Sequence, residues 1–146
     1  MKRLKTILTG LLLFATAAAN ADNDRPIQTS QLPKAAQQFI ERHFADRKVA
    51  LAKMETDFVK KSYEVIFNDG CQVEFDGKGE WKEVDCKFAA VPAGIVPAPI
   101  AEYVVNNYPN TEVVKIEKDS REYEVKLSNR MELTFDRRFN LTDIDY

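Results

Sequence analysis

The feature that most restricts the fold of this 146-residue chain is an internal repeat. The tripeptide Tyr-Glu-Val occurs at 63–65 and again at 123–125, and Phe-Asp occurs at 75–76 and again at 135–136, with the same offset in both cases. Two copies are therefore predicted, at about 30–88 and 95–146. Repeated units of this kind bury their apolar faces against each other, so the pattern predicts one shared core.

The first 21 residues match the pattern of a secretory signal peptide. Basic residues within 2–5 precede an apolar run at 7–19, and Ala-Asn-Ala at 19–21 has the small-x-small form that signal peptidase cleaves. The apolar run is shorter than the roughly 20 residues that a membrane span needs, although a retained anchor is the alternative. The mature chain, 22–146, is predicted to be periplasmic or, alternatively, secreted, and to have no stable membrane anchor.

The charge balance of the exported chain excludes one class of partner. Without the first 21 residues, 18 Lys and Arg remain against 23 Asp and Glu, so the formal net charge changes from −2 to −5. Nucleic-acid binding needs a basic surface that displaces counterions from phosphates, so nucleic acid is not expected as a partner. The remaining length is typical of one domain with a single core.

The two cysteines, Cys71 and Cys86, lie on two candidate strands that are joined by a glycine-containing turn at 76–80. Folding this hairpin sets the two residues roughly opposite each other, within reach of a disulfide. Their spacing is not the C-x-x-C of redox proteins. A structural disulfide in an oxidising compartment is the prediction.

Each copy has the pattern of one helix followed by four strands. The helices are predicted from Ser30 to about Ala45 and from Pro99 to about Tyr108. Strict alternation of apolar and polar residues follows, which is typical of an antiparallel sheet with one packed and one solvated face. The predicted fold is α+β, with two tandem α-β-β-β-β repeats forming one antiparallel sheet of about eight strands and two helices on one face. The apolar connection at 91–99 is expected to follow the core.

These motifs resemble the PepSY-like periplasmic proteins of Gram-negative bacteria. The residues that carry the resemblance are Tyr108-Pro109, 115–118 (Lys-Ile-Glu-Lys), 123–125, 135–136 and Ile144-Asp145, matched in the first copy by 53–55, 63–65, 75–76 and Val84-Asp85. The resemblance covers essentially all of 22–146. It implies a tandem fold like that of the beta-lactamase inhibitory protein, a binding or inhibitory role, and no catalytic residues. Arg-Arg-Phe at 137–139 replaces Gly-Lys-Gly at 77–79, which predicts a different second turn.

The residues that catalysis or metal binding needs are scarce. His43 is the one histidine, and it lies on the apolar stripe of the first helix, where a structural role is expected. No Ser–His or Cys–His pair is available, and zinc would need three or four ligands. Asp76 and Asp136 recur before turns, where aspartate bonds to backbone amides, and 76–80 lacks the spacing of a calcium loop. The prediction is a non-enzymatic protein without a metal or cofactor.

The polar strand face is the candidate binding surface. An acidic surface favours a protein or peptide partner with a basic patch. Two alternatives remain open: the face is merely solvated, or the protein is a small-molecule or ion carrier with a cavity between helices and sheet. The carrier would need polar groups pointing inward, whereas the inward set is almost wholly apolar. The residues predicted to form the binding face are Glu64, Gln72, Glu74, Glu124, Lys126, Glu132 and Thr134.

Overall fold

The chain forms nine antiparallel strands in the computed structural model, which describes residues 23–146, and alternation of apolar and polar residues accounts for those of the two predicted strand runs. The strands are β1 (Asp24–Ile27), β2 (Val49–Asp57), β3 (Lys60–Phe67), β4 (Gln72–Phe75), β5 (Trp81–Asp85), β6 (Val113–Lys118), β7 (Glu122–Leu127), β8 (Glu132–Asp136) and β9 (Leu141–Asp145). They form one sheet in the order of the sequence, each antiparallel to the next. The predicted signal peptide lies outside the described residues.

The sheet has one strand more than the sequence predicts. The additional strand, β1, pairs with β2 over Asp24↔Glu55 to Ile27↔Ala52. Its four residues show no alternation of buried and exposed side chains. They include Pro26, which is tolerated because an edge strand pairs on one side only. The expectation of about eight strands is therefore wrong. The order after β1, a helix and four strands followed by a helix and four strands, agrees with the predicted sequence of elements.

Both helices pack on the apolar face of the sheet. Helix α1 (Lys34–His43) begins directly after Pro33 and follows one 3-10 turn at Thr29–Gln31, whereas α2 (Ala98–Asn107) begins after Pro97. Each helix places one aromatic ring edge-on against a strand phenylalanine. The ring centroids are 5.6 Å apart for Phe39 and Phe75, and 5.5 Å apart for Tyr103 and Phe135. None of the helices in the described part of the chain is long and apolar enough to cross a membrane.

The connection between the two halves of the sheet lies against the core, as the sequence predicts. Val91 and Ile95 are buried with the helix and strand side chains. β5 and β6 then pair directly, with Val84 opposite Ile116. Both of these side chains are fully buried. The two halves therefore share one hydrogen-bonded sheet and one core.

The turns after β4 and β8 are alike, so the prediction of a different second turn is wrong. In each turn one carboxylate oxygen, of Asp76 or Asp136, accepts hydrogen bonds from the backbone N–H groups two and four residues later. The turn needs one left-handed residue, which is Gly79 (φ 87°) in the first and Phe139 (φ 65°) in the second. A non-glycine residue takes this conformation at some cost in energy, which the two carboxylate hydrogen bonds offset.

Candidate functional site

The strand register aligns five glutamates across the polar face of the sheet. Each residue lies directly opposite the next, from β3 to β7, and we call this set the glutamate row: Glu64, Glu74, Glu83, Glu117 and Glu124. Because side chains alternate along a strand, all five point away from the helices. Like charges directly opposite each other on neighbouring strands destabilise a sheet. The row therefore costs the sheet some stability.

Two lysines neutralise part of the row. Lys53 Nζ lies 2.7 Å from a carboxylate oxygen of Glu64 at one end. Lys115 Nζ lies 2.9 Å from Glu117 and 3.3 Å from Glu83. Within residues 23–146, no Lys or Arg nitrogen forms an ion pair with Glu74 or Glu124. Two lysines thus face five glutamates, and the row retains excess negative charge.

The crowding of carboxyl groups changes their protonation. Burial first, and then the charges of Glu74 and Glu117, raise the pKa of Glu83 to about 7, although Lys115 opposes the shift. Burial, followed by the charges of its glutamate neighbours, raises the pKa of Glu124 to about 7 as well. The pKa of Glu74 is also raised, mainly by burial. Near neutral pH the row therefore holds protons that an approaching cation would displace.

Not all of the sequence-predicted face residues belong to this row. Gln72, Lys126 and Glu132 lie in a neighbouring line of mixed charge, in which Lys126 is opposite Lys115 and Glu132. Thr134 lies beside Glu124 but is 6% exposed, so it offers almost no surface to a partner. The structure therefore brings together Glu64, Glu74 and Glu124 of the predicted set.

Four residues at the row were missed by the sequence prediction: Lys53, Glu83, Lys115 and Glu117. Alternation alone marks each of them as outward, since each lies next to an apolar residue of its strand. Their alignment depends on the β5–β6 register, however, and β5 is joined to β6 by the long connection 86–112 rather than by a tight turn. Register is readable from sequence only where a short turn sets it.

A groove of about 790 Å³ lies at one end of the row, between the β2–β3 hairpin and the β4–β5 turn. Glu64 and Glu74 are part of its lining, together with several lysines. A smaller cleft of about 300 Å³ lies between α1 and the start of β2. Both are open to solvent, so neither is an enclosed cavity of the apolar core.

The remaining candidates have structural partners. Cys71 and Cys86 form a disulfide that joins the start of β4 to the end of β5. The ring of His43 packs against Phe39 with centroids 4.7 Å apart, and burial followed by the charge of Arg42 lowers its pKa. Over 23–146, no group of three or more His, Cys, Asp or Glu side chains is arranged to hold a metal ion.

The raised pKa values lead to an expected dependence of stability on pH. Glu83 and Glu124 hold protons up to about pH 7 in the folded state but only up to their ordinary pKa of 4.5 in the unfolded state. The folded state therefore binds more protons between these values, and its stability should fall as pH rises through them. After discounting for solvent screening, the loss is about 1–2 kcal/mol for the pair.

The measurement is urea unfolding of residues 22–146 between about pH 5 and pH 8. We expect the variant Glu83→Gln/Glu124→Gln to be more stable than the natural sequence at the upper end and similar to it at the lower end. Glu117 remains to pair with Lys115 in this variant. Glu102→Gln, on the exposed surface of α2, is the matched control and should leave the profile unchanged. A constant stability difference across the range would contradict the assignment.

Comparison with known proteins identifies relatives of the chain. Residues 61–143 match the family described as "Putative beta-lactamase-inhibitor-like, PepSY-like". A Bacteroides thetaiotaomicron structure described as a "putative calcium-regulated periplasmic protein" is 63% identical, with a TM-score of 0.84, over 86% of this chain and 99% of that chain. A Bacteroides vulgatus structure described as a "putative periplasmic protein from DUF2874 family" is 57% identical, with a TM-score of 0.82 and the same coverage.

A further Bacteroides vulgatus structure, described as a "putative periplasmic protein of unknown function", is 38% identical, with a TM-score of 0.79, over 84% of this chain and 99% of that chain. No protein of curated function matches the sequence. The similar structures are described as periplasmic, which supports an exported, periplasmic location.

Proposed function

Since this chain belongs to the PepSY-like family, we propose that it is a non-enzymatic periplasmic binding module whose glutamate row captures a basic segment of another protein. The observation that supports the proposal most directly is the alignment of five glutamates with two lysines among them. Such an arrangement costs stability, because like charges face each other on adjacent strands. A basic partner would relieve that repulsion on binding.

The protonation state of two carboxyl groups in the row also favours the binding of a basic segment. Glu83 and Glu124 are half-buried, and their pKa values of about 7 indicate that full ionisation is unfavourable in the free protein. A Lys or Arg side chain placed beside either group favours the ionised form and releases its proton. Binding of a basic segment should therefore become stronger as pH rises through about 7.

The dimensions of the row suit an extended chain. Five adjacent strands are separated by four gaps of about 4.8 Å, so the row is about 19 Å long. In an extended peptide, side chains on the same side are separated by about 6.8 Å. A segment of about six residues with a basic residue at every second position would therefore place three cations along the row. Such a segment needs no pocket, only the flat polar face.

One relative, the Bacteroides thetaiotaomicron protein, is described as calcium-regulated. Carboxylate oxygens are the ligands that calcium prefers, and six to eight are usual. The described residues contain no group of three or more acidic, His or Cys side chains arranged around one ion. The proposed function therefore includes no resident calcium ion.

The alternative of a small-molecule or ion carrier has less support. A carrier cavity between helices and sheet would need polar groups facing inward. The strand residues that face the helices are apolar and fully buried, among them Val65, Val73, Val125 and Leu133. The cleft beside α1 has polar residues in its lining, but it lies at the margin of the sheet.

The proposal predicts that reversing two charges in the row removes capture of a basic segment. The variant is Glu74→Lys/Glu124→Lys, in which each new lysine is flanked by at least one glutamate, so folding should be intact. The probe is a fluorescein-labelled peptide of alternating lysine and threonine, measured by fluorescence anisotropy at low salt. We expect the affinity to fall about tenfold or more, and capture of proteins from periplasmic extract to fall with it.

The matched control is Glu41→Lys/Glu102→Lys, which makes the same change in net charge on exposed helix positions. It should bind the peptide almost as well as the natural sequence. Equal losses in the two variants would show that only net charge matters, and undiminished binding by Glu74→Lys/Glu124→Lys would rule out the row as the binding surface. Added calcium tests whether divalent cations compete with the peptide.

A further inference from the structure

The groove at the end of the glutamate row has an exposed apolar side chain in its wall. Val59, in the turn between β2 and β3, is 92% exposed and lines the groove together with Glu64 and Glu74 of the row. Phe58 precedes it in the turn and is fully exposed as well. The tip of the hairpin and the row therefore belong to one continuous surface, in which apolar area lies beside carboxylates.

The groove exists because the first hairpin is longer than its counterpart. β2 has nine residues and β3 has eight, whereas β6 and β7 have six each. β3 pairs with β4 only over 63–66, so residues 60–62 project past the end of β4. The corresponding cleft beside Glu117 and Glu124 has a volume of about 80 Å³, against about 790 Å³ for the groove. Of the two, only the groove reaches the size of ordinary ligand sites, roughly 300–1,000 Å³.

The residues of the tip are not those that a turn prefers. Phe58 has φ 39°, in the left-handed region that bulky residues rarely adopt and that glycine or asparagine would take more easily. Val59 stands where turns usually have Gly, Asn, Asp or Ser. Neither side chain packs in the core, so core packing does not explain them. Backbone strain of this kind clusters at binding sites, which supports a role of the tip in binding.

The lining of the groove combines negative charge with apolar surface. It contains six Asp or Glu side chains and four Lys side chains, so the groove continues the negative charge of the row. Val59 and Tyr63 supply apolar surface, and Lys60 and Lys61 add their methylene chains. A purely basic segment would leave this apolar surface in water, whereas a large apolar side chain beside the basic ones would cover it.

From this combination we propose that the basic segment captured by the row ends in a large aliphatic residue, which binds in the groove against Val59. The inference rests on the proposed function and specifies the partner further: alternating basic residues, followed directly by an aliphatic one. An extended segment that lies along the row from Glu124 to Glu64 reaches the groove with its next residue, because Glu64 and Glu74 form part of the groove lining.

The groove would also determine how the segment lies on the row. The five glutamates are chemically alike, so a segment of alternating lysines could shift by two residues without losing its ion pairs. A single aliphatic residue that fits only at the β3 end removes this freedom, because a shifted segment would leave it in water. The carboxylates thus supply attraction, and the groove supplies register.

Displacement of the fluorescein-labelled lysine–threonine peptide by unlabelled peptides tests the proposal at low salt on residues 22–146. All peptides have acetylated and amidated ends, and the reference is the unlabelled lysine–threonine peptide. Two others carry one added leucine, at the amino or at the carboxyl end. We expect one of these two to bind about fivefold or more tightly than the reference. A peptide of the same composition with leucine at a central threonine position should gain about twofold or less, because alternation points that leucine away from the sheet.

The variant Val59→Ser removes the apolar wall and should fold, because serine is favoured in turns. It should reduce the gain from the terminal leucine to about twofold or less. Val105→Ser is the matched control, since it makes the same change at a position of α2 that is 66% exposed, on the other side of the sheet. This control should keep the full gain.

The outcomes separate this inference from the proposed function. If the reference peptide binds and is lost in Glu74→Lys/Glu124→Lys, but neither terminal leucine adds affinity, the groove inference is wrong and the proposed function stands. A gain that persists in Val59→Ser, or an equal gain from the central leucine, would also overturn the inference. If no peptide binds the natural sequence, the proposed function fails and the inference fails with it.

Discussion

Residues 22–90 expressed alone are expected to lose cooperative folding. The cut leaves β5 without β6, so the buried side chain of Val84 loses Ile116 opposite it. It also removes Ile95 of the connection from the core. A chain of about 70 residues buries too small a fraction of its surface to tolerate such losses. The exposed backbone groups of β5 would then favour pairing with other chains.

Circular dichroism during heating and sedimentation velocity measure this result. The fragment should show a broad, weak transition or concentration-dependent association, whereas 22–146 should unfold in one sharp transition. A sharp and independent transition for a monomeric fragment would show that the two halves are separate domains. The complementary fragment 91–146 is a useful comparison, because it lacks β5 but retains most of the connection, including α2.

Removing the disulfide is expected to lower stability by about 3 kcal/mol, since it closes a loop with a sequence separation of 15. The variant Cys71→Ala/Cys86→Ala should still fold, because Met131, which directly precedes β8 as Cys71 directly precedes β4, is buried without a covalent bond. The measurement is the urea midpoint of unfolding of 22–146. The natural sequence after reduction of its disulfide is measured in the same way, as a second form of the protein without the bond.

Thiol titration of the denatured, unreduced protein supplies the control for this experiment. No free sulfhydryl should be found, since both cysteines of the described chain are paired. An unchanged urea midpoint in the double variant would show that the bond contributes nothing to the folded state. A variant that does not fold at all would show that the first half of the sheet requires the disulfide, although Met131 in the second half is buried without one.

The sequence pattern predicts those parts of the fold in which residues that contact each other are also close together in the chain. Strand alternation identified the buried faces, and the glycine-containing turn at 76–80 brought Cys71 and Cys86 together. The turn at 136–140 differs from the prediction, because the sequence shows no glycine there and the hydrogen bonds of Asp136 are seen only in three dimensions. The hydrogen bonds that the Asp136 carboxylate accepts from two backbone N–H groups offset the energy cost of the left-handed conformation of Phe139.

The candidate site was only partly predictable, for a different reason. Glu64 and Glu74 face each other across a short turn, so their proximity follows from hairpin geometry. Glu83 and Glu117 come from strands that are joined only through the long connection 86–112, and nothing in that connection sets their register. The alignment of all five glutamates therefore depends on the tertiary structure and is not readable from the sequence.

The strictly sequential order of the strands also has consequences for how the chain folds during export. Paired strands are joined by short turns, except for the two long connections, 28–48 before β2 and 86–112 before β6. Short hairpins form within about 1–10 μs, so each pair can close as soon as it has crossed the membrane. β5, however, must wait until the whole of the connection and β6 have followed. That interval is when an emerging chain is most exposed to pairing with a second copy, and the speed of export sets its length.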